Sequence, residues 1–349
     1  MSNSNLSQLK TFAQSESNPT QLKACLFNLI VYTHEPRRTE YFKKVVDLFK
    51  DQFPCRIFFI VADPDRSESN LDVEVLSTPL KSNTAFSCDH MIIKAAGQAI
   101  SEVPFLILPF FVPDLPIYLL WGQDPTTENA ILPHLLLYAT RLIFDSECSK
   151  NLVRFSHEML KTLASTSIPM IDMNWARISG WREVLAQTFD IHERVEQLST
   201  ASSIVIVYND YPNPLFFHPE TQAIYFQSWL ACRLGWKFLK LSKEEGFNLF
   251  YETQEGQVHI RLLPEPHQEF SSEGLLRLEI TGKNDYHCIL RRSSDQQVIV
   301  QASNQYQCEL PLSLVLPSID SGRMFMQEMF YQKMSEHYSQ MLALISQIK

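Results

Sequence analysis

The chain has 349 residues, which predicts about two domains, and 45% of them are hydrophobic, so it can bury sizeable cores. The formal net charge of −9 argues against a nucleic-acid or acidic-membrane surface, because phosphate binding needs a basic patch. The 9 glycines are few for this length, and this limits the number of loops that can cradle a phosphate.

The chain begins with a polar stretch and then alternates strands with helices. Residues 1–20 predict a flexible tail and not a signal peptide. Ala24 to Tyr32 and Arg56 to Ala62 are continuous apolar runs, as in strands covered on both faces. Tyr41 to Phe53 lies between them with helical spacing of its apolar residues. This strand–helix–strand order predicts a parallel βαβ unit.

The same alternation continues to residue 190 and predicts an N-terminal α/β domain at 21–190 with a doubly wound, mostly parallel sheet. Leu71 to Thr78 alternates apolar and polar residues and predicts a half-exposed edge strand. The later elements of this domain are predicted as follows: helix at Asp89 to Ile100, short helix or turn at Val103 to Phe111, strand at Ile117 to Trp121, helix at Leu132 to Thr140, strand at Arg141 to Asp145, helix at Leu152 to Ala164.

A second α/β unit is predicted at 200–349. Ile204 to Tyr208 is predicted to form a buried strand, and Thr221 to Leu234 is predicted to form a helix. Short alternating segments between Leu249 and Gln301 predict an antiparallel meander. A long C-terminal helix is predicted from about Asp320 to Ile348.

We expect the protein to be cytoplasmic. The apolar stretch Val103 to Trp121 contains four prolines, which would break a membrane-spanning helix, so we expect a soluble core and no membrane association. The seven cysteines include no C-x-x-C pair and predict reduced thiols.

Motifs for common catalytic and cofactor sites are absent from the sequence. No G-x-G-x-x-G follows either leading strand, since those strands are followed by T-H-E-P and N-D-Y-P. Walker A, G-x-S-x-G and H-E-x-x-H motifs are also missing. We therefore expect no cofactor, no metal ion and no catalytic residue, although an enzyme built from distant residues stays open.

A cluster of tryptophan and arginine near the predicted domain junction is the first candidate site. Its members are Asp172, Asn174, Trp175, Arg177, Trp181, Arg182 and Glu183. One interpretation is a partner-binding surface, because Trp and Arg dominate interface hot spots. The other is structural: the tryptophans close a core, and the arginines pair with nearby carboxylates. Ser179 is the predicted N-cap of the helix that follows.

A second candidate is a crevice at the carboxyl ends of the N-terminal strands, formed by Asp114, Trp121 and Asp145. The structural interpretation is a rigid proline turn that leads into a core strand. The third candidate is the C-terminal helix as a docking surface, because it carries Met324, Met326, Met329, Met334 and Met341. A helix packed on its own domain is the alternative.

Two phrases resemble the OpcA family, the glucose-6-phosphate dehydrogenase assembly proteins. They are D-M-N-W-A-R with W-R-E and L-A-Q-x-F-D at Asp172 to Asp190, and P-D-L-P-I-Y-L-L-W at Pro113 to Trp121. The resemblance implies a non-catalytic factor that binds glucose-6-phosphate dehydrogenase and favours its active oligomer. The alternatives are a sugar-phosphate enzyme, with Arg177 and Arg182 as a phosphate clamp, and a purely structural subunit.

Overall fold

A computed structural model describes residues 22–23, 25–50, 53–79, 86–213, 215–244, 246–270, 274–317, 326–327, 330 and 335–348. They fall into two compact units. The first is bounded by Met1–Cys148, Thr166–Asp172 and Asp320–Lys333, and the second by Ser149–Ser165, Met173–Ile319 and Met334–Lys349. The predicted tail at 1–20 lies outside the described residues. The predicted domain limits of 21–190 and 200–349 differ from these units and stay a prediction about which segments fold together.

The first unit is built on one sheet, with short helical connections. Its described strands are β1 (Leu22–Lys23), β2 (Asn28–Thr33), β3 (Arg56–Asp63), β4 (Asn70–Pro79), β5 (Phe86–Ala96), β6 (Ile117–Gly122), β7 (Arg141–Phe144) and β8 (Met170–Asp172). Its described α-helices are α1 (Pro36–Phe49), α2 (Val103–Ile107) and α3 (Leu132–Leu136).

The strand order of this sheet is β1-β5-β3-β2-β6-β7-β8, and every neighbouring pair along it is parallel. The edge strand β4 pairs antiparallel with β5. From β5 to β8 the order is that of the doubly wound fold whose carboxyl edge binds dinucleotides. The predicted doubly wound, mostly parallel sheet is therefore confirmed.

Strand β2 lies at the centre of the sheet and is apolar from Leu29 to Tyr32. All six of its residues are buried. Ile30 is in register with Phe58 of β3 on one side and with Leu119 of β6 on the other. A strand with parallel neighbours on both sides and no polar face needs cover on both faces, as the continuous apolar run predicted.

The helix predicted at Asp89 to Ile100 is wrong. These residues continue β5 to Ala96 and then form a 3-10 turn at Gly97–Glu102. Met91, Ile93 and Ala95 are buried, whereas Lys94 between them is exposed, so the burial has the period of a strand. Pairing with β3 and β4 on either side overrides the helical preference of a short apolar segment.

The second unit contains a mixed sheet and a set of helices. Its described strands are β9 (Ser203–Asn209), β10 (Lys237–Ser242), β11 (Phe247–Thr253), β12 (Gly256–Glu265), β13 (Leu275–Thr281), β14 (His287–Ser294), β15 (Gln297–Ser303) and β16 (Leu312–Val315). Its described helices are α4 (Leu152–Ser165), α5 (Met173–Arg177), α6 (Ser179–Thr188), α7 (His192–Ser199), α8 (Thr221–Arg233) and α9 (Glu336–Ile345).

This second sheet has the order β10-β11-β12-β9-β13-β14-β15-β16. Its pairs are antiparallel except for β9 with β12, so the predicted antiparallel meander is confirmed as two runs, β10–β12 and β13–β16, with β9 between them. In β13, Leu278 and Ile280 are buried, whereas Arg277 and Glu279 between them are half-buried. Helix α8 packs on β9 and β12, and α9 packs on α8 and α4. None of the helices described is both long and apolar enough to cross a membrane.

The prediction of a single long C-terminal helix is also wrong. Ser335 has extended backbone angles (φ −79°, ψ 131°) and is the N-cap of α9, accepting the N–H of His337 at 3.2 Å. The helix therefore begins at Glu336, because the serine side chain satisfies a backbone donor that a continuous helix would bond internally. Of the five methionines, Met326 and Met341 are buried, and the others lie outside the described residues.

The predicted N-cap at Ser179 is shifted by one residue. Ile178 holds the cap position of α6, and Ser179 is already helical. The apolar face of α6 is as predicted, since Trp181, Val184 and Leu185 are all buried.

Candidate functional site

The turn between β2 and α1 places a carboxylate on its own helix N-terminus. The Glu35 side chain accepts the backbone N–H groups of Arg37 at 3.3 Å and Arg38 at 2.9 Å. Pro36 is the first helical residue and has no N–H to offer. Free N–H groups and the helix dipole attract anions to such a terminus. The Glu35 carboxylate thus occupies the position that a ligand phosphate would take.

A buried group of charges lies where β7 and β8 end. Arg38 of α1 forms an ion pair with Asp145, and the two side chains are 3% and 0% exposed. Asp172, the last residue of β8, accepts the backbone N–H of Ser146 at 2.8 Å. These charges bond to groups of the protein itself, so the carboxyl edge is closed by internal pairing at this point.

The thiol of Cys148 lies beside this charged group. Burial raises the pKa of Cys148 to about 11, and this outweighs the opposite effect of the Arg38 guanidinium. Burial also raises the pKa of Cys232 and of Cys288 to about 11. The six cysteines whose side chains are described are free thiols. Because the thiolate is the nucleophile, a raised pKa makes these three thiols poor candidates for catalysis or redox control.

Trp121, predicted to line a crevice, instead fills the interior. It is fully buried, and its ring stacks on Tyr32 with 4.1 Å between ring centroids and 9° between ring planes. The side-chain amide of Asn129 donates to the Tyr32 hydroxyl at 2.9 Å and to Gln123 Oε1 at 2.6 Å. Burial raises the pKa of Tyr32. This packing gives Trp121 a structural role.

The structure does not bring the three predicted crevice residues together. Trp121 and Asp145 lie at the carboxyl ends of the neighbouring strands β6 and β7. Asp114 lies in the turn before β6, with a φ of 63°, and is therefore at the opposite edge of the sheet. Trp121 and Asp145 are buried, and Asp114 is exposed at the other edge, so the trio offers the sugar-phosphate enzyme hypothesis no exposed polar group at the carboxyl edge.

The tryptophans of the Trp–Arg cluster are core residues. Trp175 and Trp181 are 2% and 4% exposed, and Asn174 is fully buried. The Trp175 ring lies 5.6 Å from the ring of Tyr338 in α9. Asp172 belongs to the first unit, and the other six members belong to the second. The cluster is therefore largely internal, in agreement with its structural interpretation.

The arginines of the cluster are half-buried, and its glutamate is exposed. Arg182 lies 3.6 Å over the Trp175 ring and donates to the Trp175 carbonyl oxygen at 3.2 Å. Arg177 donates to Asn174 Oδ1 at 2.8 Å and lies 5.0 Å over the ring of Phe216. Glu183 points to solvent. Three members of the cluster, Arg177, Arg182 and Glu183, are therefore not fully buried.

Two residues that matter for the closed edge were missed from the sequence. Pro36 signals the start of α1, but nothing local shows that Glu35 caps it. Arg38 meets Asp145 only after the sheet has formed, because the two are far apart in the chain. Within the described residues, no group of three His, Cys, Asp or Glu residues could hold a metal ion.

A doubly wound sheet followed by a mixed sheet is an architecture shared with oxidoreductases of known structure. An oxidoreductase from Sinorhizobium meliloti superposes with a TM-score of 0.53 at 9% identity, covering 93% of this chain and 96% of that one. The K102E mutant of KijD10, a 3-ketoreductase from Actinomadura kijaniata solved with TDP-benzene and NADP, gives 0.52 at 10% identity, covering 93% and 97%. At these identities the likeness concerns the fold.

The chain belongs to the OpcA family. Residues 47–162 match the domain described as glucose-6-phosphate dehydrogenase subunit N-terminal domain, and residues 168–342 match the corresponding C-terminal domain. The resemblance seen in the two sequence phrases is thereby confirmed.

Two curated relatives are named putative OxPP cycle protein OpcA. The protein from Nostoc punctiforme is 26% identical over 206 residues, which are 58% of this chain and 43% of the relative. The protein from Synechocystis sp. is 25% identical over 215 residues, which are 60% of this chain and 43% of the relative. The matched region thus spans less than half the length of these relatives.

The dinucleotide that such a fold binds does not fit the residues of this chain. Its pyrophosphate would approach the turn after β2, where the fold normally supplies glycines and free N–H groups. Here the Glu35 carboxylate already takes the N–H groups of Arg37 and Arg38. A second negative charge at this place would be repelled, so the turn after β2 does not fit a dinucleotide pyrophosphate.

Proposed function

We propose that this chain is a non-catalytic assembly and activating factor that binds glucose-6-phosphate dehydrogenase and favours its active oligomer. The observation that carries the proposal is the match of two successive segments, together covering most of the chain, to the two domains described as a glucose-6-phosphate dehydrogenase subunit. The free state of the described cysteines supports a reducing compartment, and hence the cytoplasm, as its location.

The closed carboxyl edge supports a role without catalysis. In an open α/β sheet this edge is where ligands bind. In this chain Glu35 caps the helix, Arg38 pairs with Asp145, and Trp121 stacks on Tyr32. Each of these side chains therefore contacts another part of the same unit at the edge where a substrate would bind.

The mechanism we propose is a shift in the population of dehydrogenase oligomers. A protein that binds the active oligomer more tightly than the inactive form moves the equilibrium by the difference in binding free energy. A tenfold shift in that equilibrium requires a difference of about 1.4 kcal/mol. The factor would therefore act at concentrations near its dissociation constant and would not need to touch the substrate.

The surface we propose for this contact is the accessible part of the Trp–Arg cluster. Arg177, Arg182 and Glu183 lie on α5 and α6 around a core that Trp175 and Trp181 hold in place. Rigid, half-buried arginines lose little conformational entropy on binding, which makes them effective contact residues. Glu183 is the best residue to test, because it is exposed and no part of the core depends on it.

The test mixes the purified chain with glucose-6-phosphate dehydrogenase from the same organism. Activity and oligomer mass are recorded together over a range of concentrations. We expect activity to rise as the mass distribution shifts to a larger species. Glu183→Arg should require at least about tenfold more protein for half-maximal activation, because charge reversal inside an interface costs several kcal/mol.

Glu196→Arg is the matched control, since Glu196 is an exposed glutamate on the neighbouring helix α7. It should activate like the unmodified chain. Unchanged activity and unchanged mass with the unmodified chain would refute the proposed function. Normal activation by Glu183→Arg would refute the proposed surface and leave the function standing.

A further inference from the structure

A cavity of about 320 Å³ in the second unit gathers three arginines. Arg277 comes from β13, and Arg291 and Arg292 come from β14. The lining also includes His267 and Phe270, which follow β12. A volume near 300 Å³ is at the small end of ligand pockets. The cavity is therefore suited to a small molecule and not to a dinucleotide.

Two of these arginines oppose each other directly across neighbouring strands. Arg277 is the register partner of Arg291 in the antiparallel pair of β13 and β14. Residues in such positions share a face of the sheet, with Cβ atoms about 5 Å apart, and like charges there repel. A bound anion between the two guanidinium groups would convert this repulsion into attraction.

The acidic residues nearby leave one of the three cations without a counter-charge. Arg277 contacts Glu279 at 2.7 Å and Glu265 at 3.8 Å. Arg292 is nearly buried and contacts Asp295 at 2.6 Å. Arg291 is exposed, and the described part of the chain gives it no ion pair. A chain with a net charge of −9 thus keeps an uncompensated guanidinium at the mouth of a cavity.

Two irregularities in strand pairing lie beside this arginine-lined cavity. The register of β13 against β9 shifts between Leu275 and Arg277, and that of β14 against β15 shifts between Arg292 and Ser294. Bulges re-aim side chains and are common beside binding sites. Phe270 provides a firm wall, because it packs on a buried cluster with Val205, Val207 and Leu276 and lies 5.1 Å below the Arg292 guanidinium.

We infer that this arginine cavity binds a small phosphate monoester. Guanidinium forks match the geometry of phosphate oxygens and bind them with two hydrogen bonds at once. Arg291 would gain the most binding free energy from the phosphate, because the described residues give it no carboxylate that the phosphate would have to displace. Phe270 offers an apolar surface for the body of the ligand. The inference is independent of the proposed partner, because the chain alone should bind the ligand.

The experiment is isothermal titration calorimetry on the purified full chain with glucose 6-phosphate, inorganic phosphate and glucose as probes. We expect glucose 6-phosphate to bind and glucose not to bind. Arg291→Ala should weaken binding about tenfold or more, because it removes charge-assisted hydrogen bonds. Arg291→Lys should restore part of the affinity, since lysine keeps the charge and loses the fork.

Arg261→Ala is the control, since Arg261 is an exposed arginine on β12 of the same sheet. It should change the affinity less than twofold. Equal binding of inorganic phosphate would support the site and assign recognition to the phosphate group alone. Absence of binding by both glucose 6-phosphate and inorganic phosphate at concentrations up to about 10 mM would overturn the inference. Equal losses in Arg291→Ala and Arg261→Ala would overturn it as well, by showing a diffuse charge effect.

Discussion

Removal of Arg38 is the sharpest test of the closed carboxyl edge. Arg38→Met keeps an unbranched apolar stem and removes the cation that pairs with Asp145. Asp145 is fully buried, so its carboxylate loses its paired positive charge in a region without solvent. Breaking a buried pair from one side costs about 3–5 kcal/mol. We expect a loss in this range.

The double variant Arg38→Met with Asp145→Asn separates charge from packing. It removes both charges of the pair, so it should be more stable than Arg38→Met alone, because a neutral amide is far less costly to bury than a lone carboxylate. Urea unfolding gives the free energies. Hydrogen exchange of peptides from β6 and β7 assigns the transition to the first unit. A loss below about 1 kcal/mol in the single variant, or simple additivity in the double variant, would refute the reasoning.

Two further predictions concern packing and alkaline pH. Gly122→Ala should lower stability by about 1–3 kcal/mol, because a Cβ there would lie 2.2 Å from Cε2 of Phe42. Gly282→Ala, where the nearest atom is 3.4 Å away, should change the melting temperature little, and equal effects at both sites would contradict the packing argument. Burial raises the pKa of Cys148 and Cys288 from 9.0 to about 11. The unfolded chain therefore releases these two protons at a lower pH than the folded chain does. The free energy of unfolding should fall between pH 9 and about 11, by up to about 3 kcal/mol for each thiol. A flat free energy of unfolding across this range would show that the two thiols are not shielded.

The parts of the fold that sequence predicted well are those where one residue pattern has one structural solution. The apolar run of β2 has no polar face, so a covered strand is the natural outcome. The segment at Asp89 to Ile100 is different, because its apolar residues satisfy both helical and strand spacing over a short length. Pairing with β3 on one side and β4 on the other makes the segment a strand, and the spacing within the segment does not show these partners.

The same distinction explains what happened to the candidate sites. Tryptophan next to arginine is compatible with an interface and with a core, and local sequence does not decide between them. In the structure Trp175 and Trp181 are buried, and the less buried members of the cluster are Arg177, Arg182 and Glu183. Residues that close the carboxyl edge could not be found by motif, because the Arg38–Asp145 pair joins two βα units. The arginine cavity likewise depends on strand register, which places Arg277 opposite Arg291.

The two proposals and the closed edge predict separable effects of substitution. If the edge at Arg38 and Asp145 is structural, its variants should lose stability while the remaining folded molecules activate the dehydrogenase normally. Glu183 and Arg291 are exposed, so their variants should keep stability and lose one binding event each. A variant of Arg38 that folds fully and still fails to activate would place function at the carboxyl edge. Such a result would favour a ligand-binding role for the first unit over the structural role argued from its buried ion pair.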